Sequence, residues 1–166
     1  FVRIDFHLTT KQDAVLSMVK TAVELKKMIV EQDERETGLR QVLNFGHTIG
    51  HALERYYNYK KKHGYCISLG IVVETCISHL IGSIDENEKI QIIDILKDFG
   101  LPAILNKEID VNKMLEIMKM DKKAKSQKPL FVALSGIGKI KSENQNYSFE
   151  IPEEIIIDAF KECQND

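Results

Sequence analysis

The sequence predicts a mainly α, multi-helical domain with one small β hairpin or sheet near residues 130–150. Three observations lead there. Apolar residues recur at helical spacing through most of the chain, capping residues and glycine or proline punctuate those runs, and strand-like stretches are confined to the region after Leu130. With 166 residues, 43% of them hydrophobic and 29% charged, there is material for one buried core, so residues 1–166 are expected to form one domain.

The first helix is expected over about residues 11–31: Thr10 caps it, Asp13 takes the capping-box position, and Val15, Leu16, Val19, Val23 and Met28 share a face. Gly38 breaks the acidic stretch Glu31 to Glu36, and a second helix is expected from Leu39 to Tyr57. Lys60, Lys61 and Lys62 form a solvated loop ending at His63 and Gly64. Ile67 to Ile81 is apolar nearly all round, the mark of a buried helix. Ser83 with Glu86 reads as a capping box for a helix to Phe99, closed by Gly100 and Pro102. Asp110 caps a helix through Met120. Leu130–Leu134 and Lys139–Lys141 are expected to be extended around a Ser135-Gly136 turn, with a third extended segment at Tyr147–Ile151. Pro152 suits the first turn of a last helix, Glu153 to Cys163, because a proline there loses no hydrogen bond.

Twenty-three basic against twenty-five acidic residues leave a formal charge of −2, which points to neither a nucleic-acid nor a membrane partner. No apolar run reaches the roughly 20 residues that cross a bilayer. Cys66, Cys76 and Cys163 make neither a CxxC pair nor an even count, so no disulfide framework is expected and a cytoplasmic location fits. The start at Phe1, inside an apolar segment, is read as the middle of a longer polypeptide.

The chemistry concentrates in the second helix. His47 and His51 stand four apart and project from one face, where both imidazoles can meet one ligand or ion. Spacing alone makes such a pair more often incidental than functional. Gly46 and Gly50 each cost a helix about 1 kcal/mol against alanine, which argues for close approach of a ligand or another backbone. With Arg40 and Asn44 the two histidines form a polar stripe on a face that should otherwise be buried. Arg40 offers a fork for carboxylate or phosphate, and Lys26 a point charge. His63 would meet this face if its segment packs as an antiparallel neighbour; the bland reading is an exposed loop histidine. A catalytic zinc takes three protein ligands and keeps one position open, so such a pair would need a carboxylate besides. Lys122 and Lys123 close another helix, as a phosphate contact or as a plain C-terminal charge cluster.

The run Asp33 to Arg40, the run Leu43-Asn44-Phe45-Gly46-His47-Thr48-Ile49-Gly50-His51-Ala52-Leu53-Glu54, and His63-Gly64 together resemble the dehydroquinate synthase family. Lys26 ahead of the acidic run, and Asp121-Lys122-Lys123 followed by Leu130 to Gly138, extend the likeness over nearly the whole chain from residue 10. The resemblance implies the multi-helical C-terminal domain of the dehydroquinate synthase-like fold, with an NAD-binding N-terminal half outside this chain. It implies His47 and His63 as ligands of Zn2+ or Co2+, the third being a glutamate upstream of Phe1. It implies Lys26 and Arg40 at the substrate carboxylate and hydroxyls, and Asn44, His51 and Lys122 or Lys123 at the phosphate. His51 and Glu36 would be catalytic, Glu36 hydrogen-bonding His51 and tuning its proton transfer. The implied reaction turns a sugar-phosphate acid, 3-deoxy-D-arabino-heptulosonate 7-phosphate, into 3-dehydroquinate and phosphate in the shikimate pathway. The full-length enzyme is expected to be a homodimer and the isolated chain inactive.

After His63-Gly64 the family usually has Glu and Ala, and this chain has Tyr65 and Cys66, so a carboxylate that orients a metal histidine is missing there unless Tyr65 substitutes for it. Cys66, Cys76 and His79 are read as structural. Rival readings are a sugar-phosphate cyclase of the 2-deoxy-scyllo-inosose or valiolone type, an iron-dependent alcohol dehydrogenase lacking the Arg40–His51 stripe, and a non-catalytic helical interaction module.

Overall fold

A computed structural model describes residues 11–123 and 128–165, apart from the side chains of residues 11, 12, 121–123 and 165. The helices are α1 (Lys11–Gln32), a 3-10 helix (Leu39–Asn44), α2 (His47–Tyr56), α3 (His63–Leu80), α4 (Glu86–Asp98), α5 (Val111–Lys123) and α6 (Glu153–Asn165). Strands β1 (Leu134–Gly136) and β2 (Lys139–Ile140) pair antiparallel. The predicted fold class is the observed one. Among the described residues no helix is long and apolar enough to cross a membrane.

Helix α3 is the axis of the core. Its Leu69, Val72, Val73, Cys76 and Ile77 are buried on all sides, as an all-round apolar sequence requires. Helix α2 packs antiparallel along it through Ile49, Ala52 and Leu53, α6 crosses it with Ala159, Phe160 and Cys163, α4 covers another side, and α5 lies against α2. Cys76 and Cys163 meet as free thiols with their sulfurs 2.9 Å apart, inside the core and not in a disulfide. Lys89 on α4 is 6% exposed and clamps α4 to α6 through Glu162, while also pairing with Glu86 at 2.8 Å. Beyond β2, a bridge between Phe131 and Phe149 adds the expected third extended segment.

Several boundaries differ from the sequence reading, each for a local reason. The expected helix Leu39–Tyr57 is two elements, because Gly46 has φ +79°, left-handed, and breaks the ladder after a 3-10 start. Helix α3 begins at His63 and not at Ile67, so His63 is a helical residue beside α2 and not a loop residue. The cap of α4 is Asp85 with Glu88, both reciprocal bonds present, whereas Ser83 donates back to the Ser78 carbonyl at 2.8 Å. The hairpin turns at Ile137-Gly138, and Ser135-Gly136 belong to β1. Asp110 does cap α5, accepting from the N–H groups of Asn112 and Lys113. Helix α1 has the predicted span, but this chain leaves its apolar face uncovered: Leu16 is 68% and Val23 62% exposed. The Thr10 cap lies outside the described residues.

Candidate metal and anion site

The α2–α3 contact decides where the histidines point. Gly70 of α3 faces the carbonyl of Gly46 so closely that a methyl group there would lie 2.0 Å from the oxygen. This approach lays the first turn of α2 against the middle of α3, and Gly50 one turn on against Cys66 and Ile67, so that the antiparallel helices bring the His47–His51 face toward His63 at the start of α3. The three imidazoles converge: ring centroids are 5.4 Å apart for His47–His51, 5.7 Å for His47–His63 and 5.9 Å for His51–His63.

Hydrogen bonds assign the ring nitrogens. His47 Nδ1 lies 3.2 Å from the Phe45 carbonyl, which only accepts, so Nδ1 carries the proton and Nε2 keeps its lone pair. His63 Nδ1 lies 2.9 Å from a Glu54 carboxylate oxygen, which likewise leaves Nε2 as the donor to an ion. Burial holds the His47 imidazole below its ordinary value, and the neighbouring His51 and His63 act in the same direction against the Phe45 carbonyl and Glu54. His47 is therefore neutral at pH 7, the form that ligates metal. Ligand atoms of His51, Glu54 and His63 all lie within 4.8 Å of one another. This trio of two imidazoles and a carboxylate fits a divalent ion; His47, the other expected ligand, is not among these three donors, and its ring centroid stands 5.4 Å from that of His51 and 5.7 Å from that of His63.

Glu54 is the residue the sequence reading missed. Its carboxylate stands at His63 Nδ1, whereas the Tyr65 ring lies under Lys61 Nζ, 4.8 Å from its centroid. Its signal was present: Glu54 follows His51 by three, on the same face of α2.

Beside the imidazoles opens a cavity of about 550 Å3 whose polar wall includes Glu36, Gln41, Asn44, His47, Thr48 and His51. Glu36, at φ +56°, accepts from Asn44 Nδ2 at 2.6 Å, so its carboxylate pairs with Asn44 and not with His51 as expected. Gln41 Oε1 accepts from the Tyr147 N–H and the Ser148 hydroxyl, and Thr48 donates to the Leu130 carbonyl at 2.6 Å, tying the wall to the β segment. The stripe Arg40–Asn44–His47–His51 is not one helical face, because Gly46 separates its halves. Arg40 stays outside the cavity wall; its Nη1 donates to the Glu34 carbonyl at 2.8 Å and its Nε is 4.0 Å from Glu36. The Arg40 turn is organised by Asp33, whose carboxylate takes the N–H groups of Thr37, Gly38 and Arg40 and so titrates below the usual range. Lys26 is exposed on α1. Lys122 and Lys123 close α5, and their side chains lie outside the described residues.

The sequence profile of the 3-dehydroquinate synthase C-terminal family matches residues 3–124. The 3-dehydroquinate synthase of Pyrococcus furiosus is 40% identical over 148 residues, covering 89% of this chain and 41% of that protein. That of Thermodesulfovibrio yellowstonii is 42% identical over 135 residues, 81% of this chain and 38% of its own. The pentafunctional AROM polypeptide of Mycosarcoma maydis is 35% identical over 140 residues, 78% of this chain and 8% of that polypeptide. The chain thus spans about two fifths of the length of the first two relatives. Among solved structures, a 2-deoxy-scyllo-inosose synthase complexed with carbaglucose-6-phosphate, NAD+ and Co2+ superposes with a TM-score of 0.80 at 18% identity, over 97% of this chain and 47% of that one. A 2-epi-5-epi-valiolone synthase from Streptomyces hygroscopicus, with NAD+ and Zn2+ bound, gives 0.76 at 18% identity, over 94% and 41%. These two share the fold.

Proposed function

Because the chain belongs to the 3-dehydroquinate synthase C-terminal family, we propose that it is the metal- and substrate-binding half of a 3-dehydroquinate synthase, converting 3-deoxy-D-arabino-heptulosonate 7-phosphate to 3-dehydroquinate and phosphate. The observation that carries this reading is the convergence of His47, His51 and His63 within 5.9 Å beside a polar cavity. NAD belongs to an N-terminal half of the same polypeptide, and the whole enzyme is a cytoplasmic homodimer in this reading.

His47 and His63, with Nδ1 of each engaged elsewhere, would hold the ion, zinc or cobalt, with a carboxylate from the other half completing the set. A bound divalent ion supplies Lewis-acid polarisation of a substrate hydroxyl and of the carbonyl it becomes. The chain's own residues orient and protonate. Asn44 spends one N–H on Glu36 and keeps the other for a phosphate oxygen. His51, exposed at the cavity, is placed to hold the proton that moves as phosphate leaves. Lys26 and Arg40, with Lys122 or Lys123, provide the cations a dianionic sugar acid needs at its two ends. Arg40 reaches the substrate only by giving up its bond to the Glu34 carbonyl.

The rival cyclases share the fold at 18% identity, whereas the dehydroquinate synthases share 40% and 42%, which favours the carboxylate-bearing substrate. The test is turnover of 3-deoxy-D-arabino-heptulosonate 7-phosphate by the full-length protein, with about one zinc per chain, and loss of both metal and turnover in His47→Ala. Full activity of His47→Ala, or turnover only of a sugar phosphate with an uncharged end, refutes the assignment.

A further inference from the structure

Helix α2 lacks a cap of its own. Its N-cap is Gly46, which has no side chain, so the N–H groups of Gly46, His47, Thr48 and Ile49 begin the helix without intrahelical partners. Ordinarily Ser, Thr, Asp or Asn at that position would accept from one of them. Here the acceptor comes from another helix. Glu74, the one carboxylate within the apolar stretch of α3, is fully buried, and its Oε2 accepts from the Gly46 N–H at 2.8 Å. The N–H groups of Ile49, Val132 and Thr48 also act on this carboxyl, each favouring its charged form. Among the described residues, the one hydrogen bond this side chain accepts is from the N-cap residue that starts α2.

We propose that Glu74 is a positioning residue for the metal ligand His47: it caps α2 from across the α2–α3 contact and thereby fixes where the first residue of that helix carries its imidazole. The inference rests on the metal reading above. Three features of the structure support it. Glu74 lies inside the core, where burying a carboxyl costs several kcal/mol unless it is put to use, and apolar residues surround it on α3. Its partner Gly46 immediately precedes His47, so a shift of one moves the other. The same Gly46 packs its carbonyl against Gly70, four residues before Glu74 on the same face of α3, so one helix face holds both its N–H and its C=O. Glu74 Oε1 makes no hydrogen bond of its own. Burial pushes the carboxyl up to about 8 against the amides that face it. The neutral amide of Gln is therefore a close chemical stand-in, and an apolar side chain of similar volume is not.

The experiment uses the full-length protein, with Co2+ as probe. Affinity is measured by chelator competition and ligand geometry by the visible absorption of the bound ion, alongside thermal unfolding without metal. Glu74→Leu is expected to weaken Co2+ binding about 10- to 100-fold, the usual effect of removing a partner that orients a metal ligand, and to alter the visible bands. Glu74→Gln is expected to stay within about threefold of the parent with the same bands. Should Glu74→Leu not fold, Glu74→Asp decides: one methylene shorter, it withdraws the acceptor from Gly46, and a loss of about tenfold or more supports the proposal while parental affinity overturns it. Folded Glu74→Leu with lowered melting temperature but parental affinity and spectrum means a purely structural role and overturns it too. Failure of the parent protein to bind Co2+ or Zn2+ would instead strike the metal reading itself.

Discussion

Replacing Gly70 by alanine perturbs the contact on which the histidine cluster depends. The added methyl would lie 2.0 Å from the Gly46 carbonyl oxygen and 2.9 Å from the Gly50 nitrogen, where real Cβ contacts stay beyond 3.0 Å. Helix α2 must then move by about 1 Å, because the obstructing atoms are backbone and cannot rotate away. Overpacking a core costs about 1–3 kcal/mol, and backbone obstruction puts this case at the top of that range. Alanine's better helix propensity returns about 1 kcal/mol. The net expectation is a loss of about 2 kcal/mol, roughly 4–8 °C in melting temperature for a domain of this size. His47 moves with Gly46, so metal affinity is expected to fall about 10- to 100-fold, the usual effect of disturbing what orients a metal ligand. The assays are thermal unfolding of the metal-free full-length protein and zinc affinity by chelator competition. A Gly70→Ala variant within about 0.5 kcal/mol of the parent, the ordinary scatter of neutral substitutions, and with parental zinc affinity would refute the packing argument.

Glu54→Gln is expected to weaken metal binding about 10- to 100-fold, because His63 Nδ1 loses its carboxylate; chelator competition reads it, and unchanged affinity would remove Glu54 from the site. Lys89→Met should lower the urea midpoint by the equivalent of about 1–2 kcal/mol, since its partners Glu86 and Glu162 keep some access to water. Burial disfavours the Lys89 ammonium, but Glu162 and Glu86 outweigh it and raise its pKa above the ordinary lysine value of 10.5. Its contribution is thus fully present below about 10.5 and lost as pH rises through the higher folded value, so the parent should lose stability there more steeply than the variant. Asp33 titrates below its ordinary 3.8 chiefly through the Arg40 N–H, so its contribution is present above that value and lost as pH falls through the lower folded one. Asp33→Asn should flatten this acid limb and speed hydrogen exchange at the Gly38 and Arg40 amides; unchanged exchange would mean the turn holds without it.

How much was legible follows from the range of the forces involved. Helical periodicity, Asp110 as a cap, Pro152 before α6 and the buried character of α3 are local signals, carried by spacing and by which backbone groups a nearby side chain can satisfy. The motif from Asn44 to Glu54 with His63-Gly64 was enough to name the family and to select His47, His51 and His63. The break at Gly46 was not legible, because a glycine in a helical pattern reads as a cost of about 1 kcal/mol until a second helix is seen to need the space. Glu36 illustrates the same limit: spacing along the chain did not show that its carboxylate accepts from Asn44 and not from His51.

By itself, then, the sequence determined the helical class, most element spans and the identity of the converging histidines, because these depend on residues a few positions apart. Only the tertiary structure decided that His63 opens a helix beside α2, that the Glu54 carboxylate meets His63, and that Glu74 accepts from the Gly46 N–H from 28 residues away. Each of those pairings joins groups on different helices, and their partners are set by the close approach at Gly70 and by the need to satisfy buried polar atoms, neither of which has a period along the chain.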